Sequence, residues 1–256
     1  GTGKGLLARA LHRASPRGAG AFVDVDCAAI PETLLEAELF GFERGAFTDA
    51  RQAKPGLFQA AHGGTIFFDE VGLLPRVLQA KLVKTIEERV VRRLGSTRGE
   101  HVDVWVMSAT NEDLLEAVRD GRFRKDLYHR LAGLPVELPP LRERGQDILL
   151  LAESYLARAC AEHRLTAKHL TADAKAALVA HPWPGNVREL INVTERVALL
   201  AEGPAITGAD LGLDSVPSAQ GHRADGRPTA SALKRERGRL ERQRIIGALR
   251  ASEGNV

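Results

Sequence analysis

The sequence predicts an α/β fold in which a mainly parallel sheet is followed by a small all-helical unit. Three short runs, at 21–26, 64–69 and 102–107, are rich in apolar and β-branched residues, which is typical of strands. Helical patterns lie between them, and within 74–90 an apolar residue recurs at every fourth position. Strands that alternate with helices favour parallel pairing, because a crossover helix returns the chain to the same end of the sheet.

The order of these patterns divides the chain into four predicted regions. After Pro139–Pro140 the strand pattern stops and helical stretches follow, so residues 1–140 are interpreted as an α/β subdomain and 141–211 as a helical one. Residues 212–230 are rich in Ser, Pro, Gly and Asp and have little periodicity, which predicts a linker. Residues 231–256 crowd Lys and Arg onto one predicted helix.

Composition narrows the class of protein. The chain has 256 residues, of which 44% are apolar and 27% charged, so it can bury a substantial core. It has no apolar run of the roughly 18 residues that a membrane span needs and no export leader at its start, so a cytoplasmic protein is expected. Cys27 and Cys160 lie far apart, which predicts reduced, buried thiols in place of a disulfide framework. The net charge of +3 is compatible with ATP or DNA as a partner.

The first residues have the composition of a phosphate-binding loop. Gly1, Thr2, Gly3, Lys4 and Gly5 lead directly into a helical pattern. Glycines let backbone N–H groups approach phosphate, and a lysine at the start of the helix reaches the β and γ oxygens. The first glycine of the GxxxxGK pattern would precede Gly1, so the 256-residue chain alone is expected to hydrolyse ATP slowly or not at all. By itself the segment is equally typical of a glycine-rich turn before a helix.

Two adjacent carboxylates, Asp69 and Glu70, end the second predicted strand. In ATPases the first acid of such a pair holds Mg²⁺ and the second orients the attacking water as a general base. Asn111 follows the third predicted strand, where its amide can orient that water or the γ-phosphate. The ordinary alternatives are solvated acids at a strand end, and an N-cap for the helix predicted over 113–119.

A six-residue motif points to a known family. GAFTDA at 45–50, preceded by ELFG at 38–41, resembles the GAFTGA loop of sigma-54-dependent transcription activators. The similarity spans residues 1 to about 211 and continues through GGTIFFDE, SATNEDL, GRFRKDLYHRL, LPPLRERGQDI and WPGNVREL. It implies an AAA+ P-loop ATPase with helices on both faces of a parallel sheet and a small all-α lid. It further implies a homo-oligomeric ring, expected to be a hexamer, that remodels the sigma-54 RNA polymerase holoenzyme.

The resemblance also implies the roles of the residues around ATP. The loop from Gly1 to Gly5, with Lys4 as its cation, would be the Walker A segment that holds the phosphates. Asp69 would hold Mg²⁺ and Glu70 the water, as the Walker B acids. Asn111 would be sensor I, and Arg188 would be sensor II on the lid.

Four further residues are implied to act between molecules. Arg124 and Arg130 would reach the ATP of the neighbouring subunit as arginine fingers, a role that suits a guanidinium because it is always charged. Phe47 and Thr48 would lie at the tip of the loop that contacts sigma-54. The alternative for the arginines is a surface position, either solvated or paired with Asp126.

Three positions depart from the family pattern. Gly5 stands where the family usually has an acid and other P-loop proteins a Ser or Thr. Asp26 replaces an Asn that is thought to restrain the catalytic glutamate, and a carboxylate facing Glu70 would repel it. Asp49 replaces the second glycine of the loop motif, which adds charge and removes backbone freedom. These departures leave an alternative function, a sigma-54-independent AAA+ DNA-binding regulator with a degenerate loop. A different ring ATPase, such as a motor or chaperone, is a more distant alternative, and the loop motif argues against it.

The end of the chain suggests DNA binding. Residues 241–256 are similar to the first helix of the Fis-type helix-turn-helix that closes many of these activators. The helix that would enter the major groove would follow Val256, so DNA recognition by this segment is expected to be incomplete. A basic, solvated helix is the alternative.

Overall fold

The computed structural model describes residues 1–213, which contain two apolar cores. The first core lies among elements of the α/β part of the chain. These elements are α1 (Lys4–Ala14), β1 (Phe22–Asp26), α2 (Glu32–Phe40), β2 (Gly41–Phe42), β3 (Lys54–Pro55), α3 (Leu57–Ala60), β4 (Thr65–Asp69), α4 (Arg76–Glu88), β5 (Val90–Arg92), β6 (Gly99–His101), β7 (Trp105–Ser108), α5 (Leu114–Arg119) and α6 (Lys125–Leu131).

The central sheet has the strand order β1-β4-β7, and both pairings are parallel. The register places Asp26 opposite Asp69 and Phe68 opposite Ser108. The predicted parallel sheet is therefore confirmed, and its first two strands begin one residue later than predicted. The third begins at Trp105 and not at 102, because the Val102 N–H bonds the Arg89 carbonyl and so continues the pairing of the β5–β6 hairpin.

Helices cover both faces of this sheet, as the family resemblance implied. Successive side chains of a strand point to opposite faces. On one face of β4, Ile66 and Phe68 join the apolar core that contains residues of α2 and α4. On the other face, Phe67 stacks on Phe22 and the Thr65 hydroxyl lies 2.9 Å from Nδ1 of His12 in α1. The sheet thus holds α1, which begins at Lys4, directly against β4.

The second core belongs to the helical part of the chain. Its elements are α7 (Asp147–Glu162), β8 (His169–Leu170), α8 (Ala172–Ala180), α9 (Asn186–Leu200), β9 (Ala205–Ile206) and α10 (Gly208–Leu211). Trp183 is fully buried in this core, and its indole N–H donates to the Leu178 carbonyl at 2.8 Å. The parallel pair of two-residue strands, β8 and β9, is an addition that the helical patterns did not indicate.

The start of α9 differs from the capping box that its sequence indicates. Asn186 followed by Glu189 three positions later is typical of an N-cap and its partner, but the N-cap is Gly185, and Asn186 is the first helical residue with φ of 54°. Oδ1 of Asn186 accepts a hydrogen bond from the Leu141 N–H at 2.7 Å. Glu189 does cap the helix, because its carboxylate accepts from the Gly185 N–H at 2.8 Å.

Two sequence predictions fall on residues that the structure does not describe. These are most of the linker, from residue 214 to 230, and the basic helix at 231–256. Within residues 1–213, no helix combines the length and apolar character that crossing a membrane requires. Cys27 and Cys160 are both free and buried, as expected.

Burial along α4 gives a direct test of the first core. Leu82 is 1% exposed and Val77 on the same helix is 70% exposed. We expect Leu82→Ala to lower the free energy of unfolding by about 2–5 kcal/mol through lost burial and a residual cavity, and the control Val77→Ala to change it by less than about 0.5 kcal/mol. Urea titrations followed by circular dichroism measure both. Equal losses in the two variants would contradict the packing described.

Candidate active site

Lys4, Glu70 and Asn111 form a hydrogen-bonded cluster at the carboxyl edge of the central sheet. Nζ of Lys4 donates to Oδ1 of Asn111 at 2.7 Å and lies 3.5 Å from Oε1 of Glu70. The backbone N–H of Asn111 donates to Oε2 of Glu70 at 3.1 Å, and the Asn111 side-chain amide donates to Oε1. Three residues that the sequence analysis assigned to ATP chemistry are thus in mutual contact. Their roles remain predictions.

Backbone geometry brings these side chains together. Gly3, with φ of 98°, is the N-cap of α1, so Lys4 is the first residue of that helix. Glu70 follows β4 with φ of 56°, an uncommon left-handed conformation for a side chain-bearing residue. The next residue is fixed because the Val71 N–H donates to the Ala109 carbonyl, just beyond β7, at 3.0 Å.

The N-cap alternative for Asn111 is wrong. The helix α5 is capped by Asp113, whose Oδ1 accepts from the N–H groups of Leu115 and Glu116 at 2.8 and 3.1 Å. The Asn111 side chain is therefore available to Lys4 and Glu70.

Several carboxyl groups lie close together in and beside this cluster. Burial and the neighbouring Glu70 carboxylate raise the pKa of Asp69 above its ordinary value, against a smaller opposing effect of Lys4. Burial, with Asp26 and Asp69 adding to it, raises the pKa of the Cys27 thiol to about 12. A site in which ionised carboxylates are disfavoured is one that a cation would stabilise.

Asp26 makes its side-chain hydrogen bonds within its own turn. Its Oδ1 accepts hydrogen bonds from the N–H groups of Ala28 and Ala29 at 2.9 and 3.2 Å, so it closes the turn after β1. The amide that holds Glu70 comes from Asn111. Position 26 thus provides no amide for Glu70, as its change to Asp implied, and Asn111 provides a hydrogen-bonding amide for that carboxylate.

The residues present are compatible with Mg²⁺ that is bound jointly by the protein and by phosphate groups. Within residues 1–213, no cluster of three or more His, Cys, Asp and Glu side chains forms a protein-only metal site. Mg²⁺ commonly takes one or two carboxylates and fills its other positions with water and substrate phosphates. Asp69, at the end of β4, provides such a carboxylate.

Gly1 and Thr2, in the predicted phosphate-binding loop, are bonded to the helical part of the chain. The Val187 N–H, at the start of α9, donates to the Gly1 carbonyl at 3.0 Å. The Arg144 guanidinium donates to the Thr2 carbonyl at 2.6 Å and to the Pro139 carbonyl at 3.0 Å. Arg144 lies within the LPPLRERGQDI motif, but its role could not be predicted, because bonds to backbone carbonyls leave no pattern in the sequence.

Two further predicted site residues lie nearby: Arg188 is close to Gly1, and Gly5 is close to Phe67. Arg188 is exposed on the first turn of α9, and a side-chain carbon added to Gly1 would lie 3.7 Å from its Cβ. Gly5 is in α1, where an added carbon would meet the Phe67 ring at 3.8 Å, an ordinary contact. A larger residue is therefore sterically acceptable at position 5.

The two predicted arginine fingers pair with carboxylates outside the polar cluster. Arg124 forms a double hydrogen bond with Asp126 at 3.0 and 2.7 Å, and Arg130 bonds Oε1 of Glu87 at 3.1 and 2.8 Å. Within the described residues, neither arginine is paired with Glu70. The surface pairing that the sequence left open for Arg124 is thus present, and a role toward the same subunit's cluster has no support.

The GAFTDA loop presents an aromatic side chain to solvent. Phe47 is 43% exposed, and its ring centroid lies 4.9 Å from that of Phe42. The Gly45 N–H donates to the Ala50 carbonyl at 2.8 Å, which closes the loop at its base. Thr48 and Asp49 are exposed at its tip. The loop is therefore a closed projection with one apolar and two polar side chains available.

A cleft of about 660 Å³ opens beside the cluster along the outer side of β7. Most of its lining is apolar, with Leu11, Val104, Val106 and Leu134 among the residues concerned. Glu70 and Asn111 are not among the residues that line it. The lining also includes three cationic side chains, those of Lys4, Arg89 and Arg130.

Two family models match the chain. The model described as the sigma-54 interaction domain matches residues 1–137, and the one described as the AAA+ ATPase lid domain matches residues 142–227.

Several known proteins are similar to it. The nitric oxide reductase transcription regulator NorR2 of Cupriavidus necator is 53% identical over 201 residues, which are 78% of this chain and 39% of that protein. The regulatory protein AtoC of Escherichia coli is 43% identical over 257 residues, which cover 100% of this chain and 56% of that protein. The crystal structure of NtrX from Brucella abortus in complex with ADP has a TM-score of 0.77 and 36% identity, over 94% of this chain and 54% of NtrX. This chain thus spans about half the length of the proteins it matches.

Charge at Asp69 gives a test with a defined pH dependence. Because the pKa of Asp69 is raised on folding, its ionised form reduces stability at neutral pH, and this loss disappears as the pH falls and the carboxyl is protonated. We expect Asp69→Asn to increase the free energy of unfolding at pH 7 and to leave it nearly unchanged at acidic pH. Urea titrations across this pH range are the measurement.

Asp103 provides the matched control. Two hydrogen bonds from Arg17, at 2.8 and 2.9 Å, lower its pKa. Its contribution is present at neutral pH and is lost as the pH falls through the lowered pKa, so Asp103→Asn should reduce stability at pH 7. If both variants shift stability in the same direction at pH 7, the electrostatic account of the site is wrong.

Proposed function

Because the chain belongs to the sigma-54 interaction domain family, we propose that the complete protein is an ATP-hydrolysing transcription activator that remodels sigma-54 RNA polymerase at promoters. The observation that carries the proposal is the contact among Lys4, Glu70 and Asn111, which come from three separate segments and match an ATPase site in residue type and order. Family membership implies ATPase activity, and coupling to the polymerase is the step proposed.

Binding of ATP would begin at Lys4. In the described structure this ammonium group contacts the Asn111 amide and the Glu70 carboxylate. Phosphate oxygens carry more negative charge and compete for the same N–H groups, so Lys4 would transfer to the β- and γ-phosphates. The N–H groups of the Gly1 to Gly5 loop would add to this binding. The ADP and ATP complexes of NtrX support nucleotide as the ligand of this fold.

Hydrolysis would follow once Lys4 has left Glu70. Glu70 would accept a proton from water as that water attacks the γ-phosphorus, and the bond from this phosphorus to its bridging oxygen would break to release ADP. Asn111 would keep the carboxylate and the water in line. Bound Mg²⁺, held at Asp69, would offset the charge on the phosphate oxygens.

The remaining roles concern neighbouring molecules. We infer that the protein forms a ring, and a hexamer is our proposal for its size. Arg124 and Arg130, which pair with carboxylates outside their own subunit's cluster, would exchange these partners for the ATP of the next subunit.

Arg188, beside the predicted phosphate-binding loop, would report the nucleotide state to the lid. DNA would be bound through the C-terminal residues, in the cytoplasm where the polymerase acts.

The exposed loop is the proposed contact with sigma-54. Phe47 offers an apolar anchor and Thr48 a hydrogen-bonding group on a projection closed at its base. Asp49, at the tip, is the residue that departs from the family pattern.

Separation of binding from hydrolysis tests the site. In the full-length protein, Glu70→Gln should bind ATP normally and lose about 10²- to 10⁴-fold in turnover, because a general base contributes that much. Lys4→Ala should weaken binding roughly 10- to 100-fold, because it removes charge-assisted hydrogen bonds of about 1.5–3 kcal/mol. Titration with a fluorescent ATP analogue and a phosphate-release assay distinguish them. Equal nucleotide affinities in the two variants would count against these roles.

Loop variants test the polymerase function separately from ATP hydrolysis. We expect Thr48→Ala to abolish promoter opening while ATP turnover stays near the wild-type rate, because the loop does not contact the polar cluster. Asp49→Gly should also keep turnover and should change sigma-54 capture, since it removes a charge and frees the backbone. The measurement is capture of purified sigma-54 in the presence of a transition-state analogue of ATP hydrolysis.

The outcomes of this capture assay separate the two functions considered. Capture by the wild-type protein supports the proposal. Capture by Asp49→Gly alone would favour a sigma-54-independent regulator, and capture by neither protein would exclude the remodelling function.

A further inference from the structure

A buried glutamine on α4 joins two segments to which function has been assigned. Gln79 is 0% exposed and lies on the buried face of α4, beside Leu78 and Leu82 of the first apolar core. A primary amide in such a place reduces stability unless its hydrogen bonds are made. An apolar side chain would suffice if this position only filled space.

Every polar atom of the Gln79 amide has a backbone partner. Nε2 donates to the carbonyls of Leu74 and Arg122 at 2.7 and 3.1 Å. Oε1 accepts from the Arg124 N–H at 2.8 Å. Both N–H groups and the oxygen are thus used, and all three bonds fix backbone.

The backbone groups that Gln79 binds belong to two segments. One is the turn after Glu70, in the subunit's own proposed ATP site, and the other carries Arg122 and Arg124 and is proposed to face the neighbouring subunit. Leu74 follows the short 3₁₀ turn Val71–Leu73, and that turn begins directly after Glu70. Arg122 and Arg124 lie in the segment before α6, and Arg124 is the N-cap of that helix.

A second hydrogen bond also joins α4 to the residues before α6. The Arg76 guanidinium, at the start of α4, donates to the Gly121 carbonyl. The first turn of α4 therefore binds residues 121–130, here called the arginine segment, through two side chains. Arg76 is the first of these, and the buried Gln79 is the second.

The geometry points to Gln79 as a positioning residue that couples the subunit's own ATP site to the arginines it presents to its neighbour. It fixes the backbone at Arg124, so displacement of the turn after Glu70 would move the arginine segment with it. This inference rests on the proposed function. It goes further by naming the side chain through which one site would affect the next.

Single variants measure the size of the effect. In the full-length protein, Gln79→Met keeps the length of the side chain and removes the amide. We expect turnover to fall about 10- to 100-fold, since a misplacement on the order of 1 Å can cost that much. ATP affinity should stay within about twofold of wild type, because Gln79 has no contact with the subunit's own polar cluster.

Gln59→Met is the matched control. Gln59 also uses its amide, bonding the Gly56 N–H and the Glu100 carboxylate, but it lies on α3, away from the arginine segment. Its turnover should stay near wild type. A loss equal to that of Gln79→Met would overturn the inference.

Mixed rings decide whether Gln79 acts on the neighbouring subunit. Mixing Gln79→Met with Glu70→Gln subunits creates interfaces in which an intact Glu70 meets an intact arginine segment. Random mixing in a head-to-tail ring makes about one quarter of the interfaces intact, so up to that share of wild-type turnover should return. Mixing Gln79→Met with Arg130→Ala should restore nothing, because both variants are defective in the same half of the interface.

A mixture of Arg130→Ala and Glu70→Gln subunits distinguishes a failure of the role inferred for Gln79 from a failure of the proposed role of the arginines in the neighbouring subunit. If that pair recovers activity and the Gln79→Met and Glu70→Gln pair does not, Gln79 acts within its own subunit and the inference is wrong. If neither pair recovers although mixed rings form, the trans role of the arginines fails and the inference fails with it. Should Gln79→Met not fold, Gln79→Asn, which keeps the amide but shortens its reach, takes its place in the same mixtures.

Discussion

Backbone hydrogen bonds between β4 and its two parallel neighbours bring the ends of three strands to one edge of the sheet. Asp69 and Glu70 are placed there by β4, and Asn111 by the chain that leaves β7. Lys4 joins them because α1 packs on the Phe67 face of the same strand. Each polar contact of the site therefore depends on the register of β4. A shift of one residue would turn Phe67 and Phe68 to the opposite faces and separate these groups.

The site lowers the stability of the fold in ways that suit its proposed chemistry. Glu70 adopts a left-handed backbone conformation, which costs on the order of 1–3 kcal/mol. The raised pKa of Asp69 shows that its charge is unfavourable in the folded chain. Both features would be offset by ligands, since a cation stabilises the carboxylate and phosphate gives Lys4 a new partner. The neighbouring Asp26 contributes to this charge while its own carboxylate closes a turn.

The sequence predicts the parts of the site that are written as local patterns, and misses those that depend on the folded backbone. Asp69 and Glu70 follow an apolar run, and Lys4 follows glycines, so their positions could be predicted from chain order alone. The contact of Asn111 with Glu70 was obscured by a competing N-cap interpretation, which Asp113 removes. Gln79 and Arg144 bond carbonyls that are distant in the chain, and no spacing rule connects them. The bonds of Asp26 to the N–H groups of Ala28 and Ala29 could not be predicted either, because a motif position does not reveal which backbone N–H groups a carboxylate will bind.

We propose that ATP hydrolysis at the cluster of Lys4, Glu70 and Asn111 drives the opening of promoter DNA by sigma-54 polymerase. The most direct measurement is the fluorescence of a base analogue in a sigma-54 promoter, with the full-length protein, purified sigma-54 holoenzyme, and either ATP or a non-hydrolysable analogue. We expect the fluorescence to rise with ATP and not with the analogue. A normal rate of ATP hydrolysis with no rise in fluorescence would contradict it.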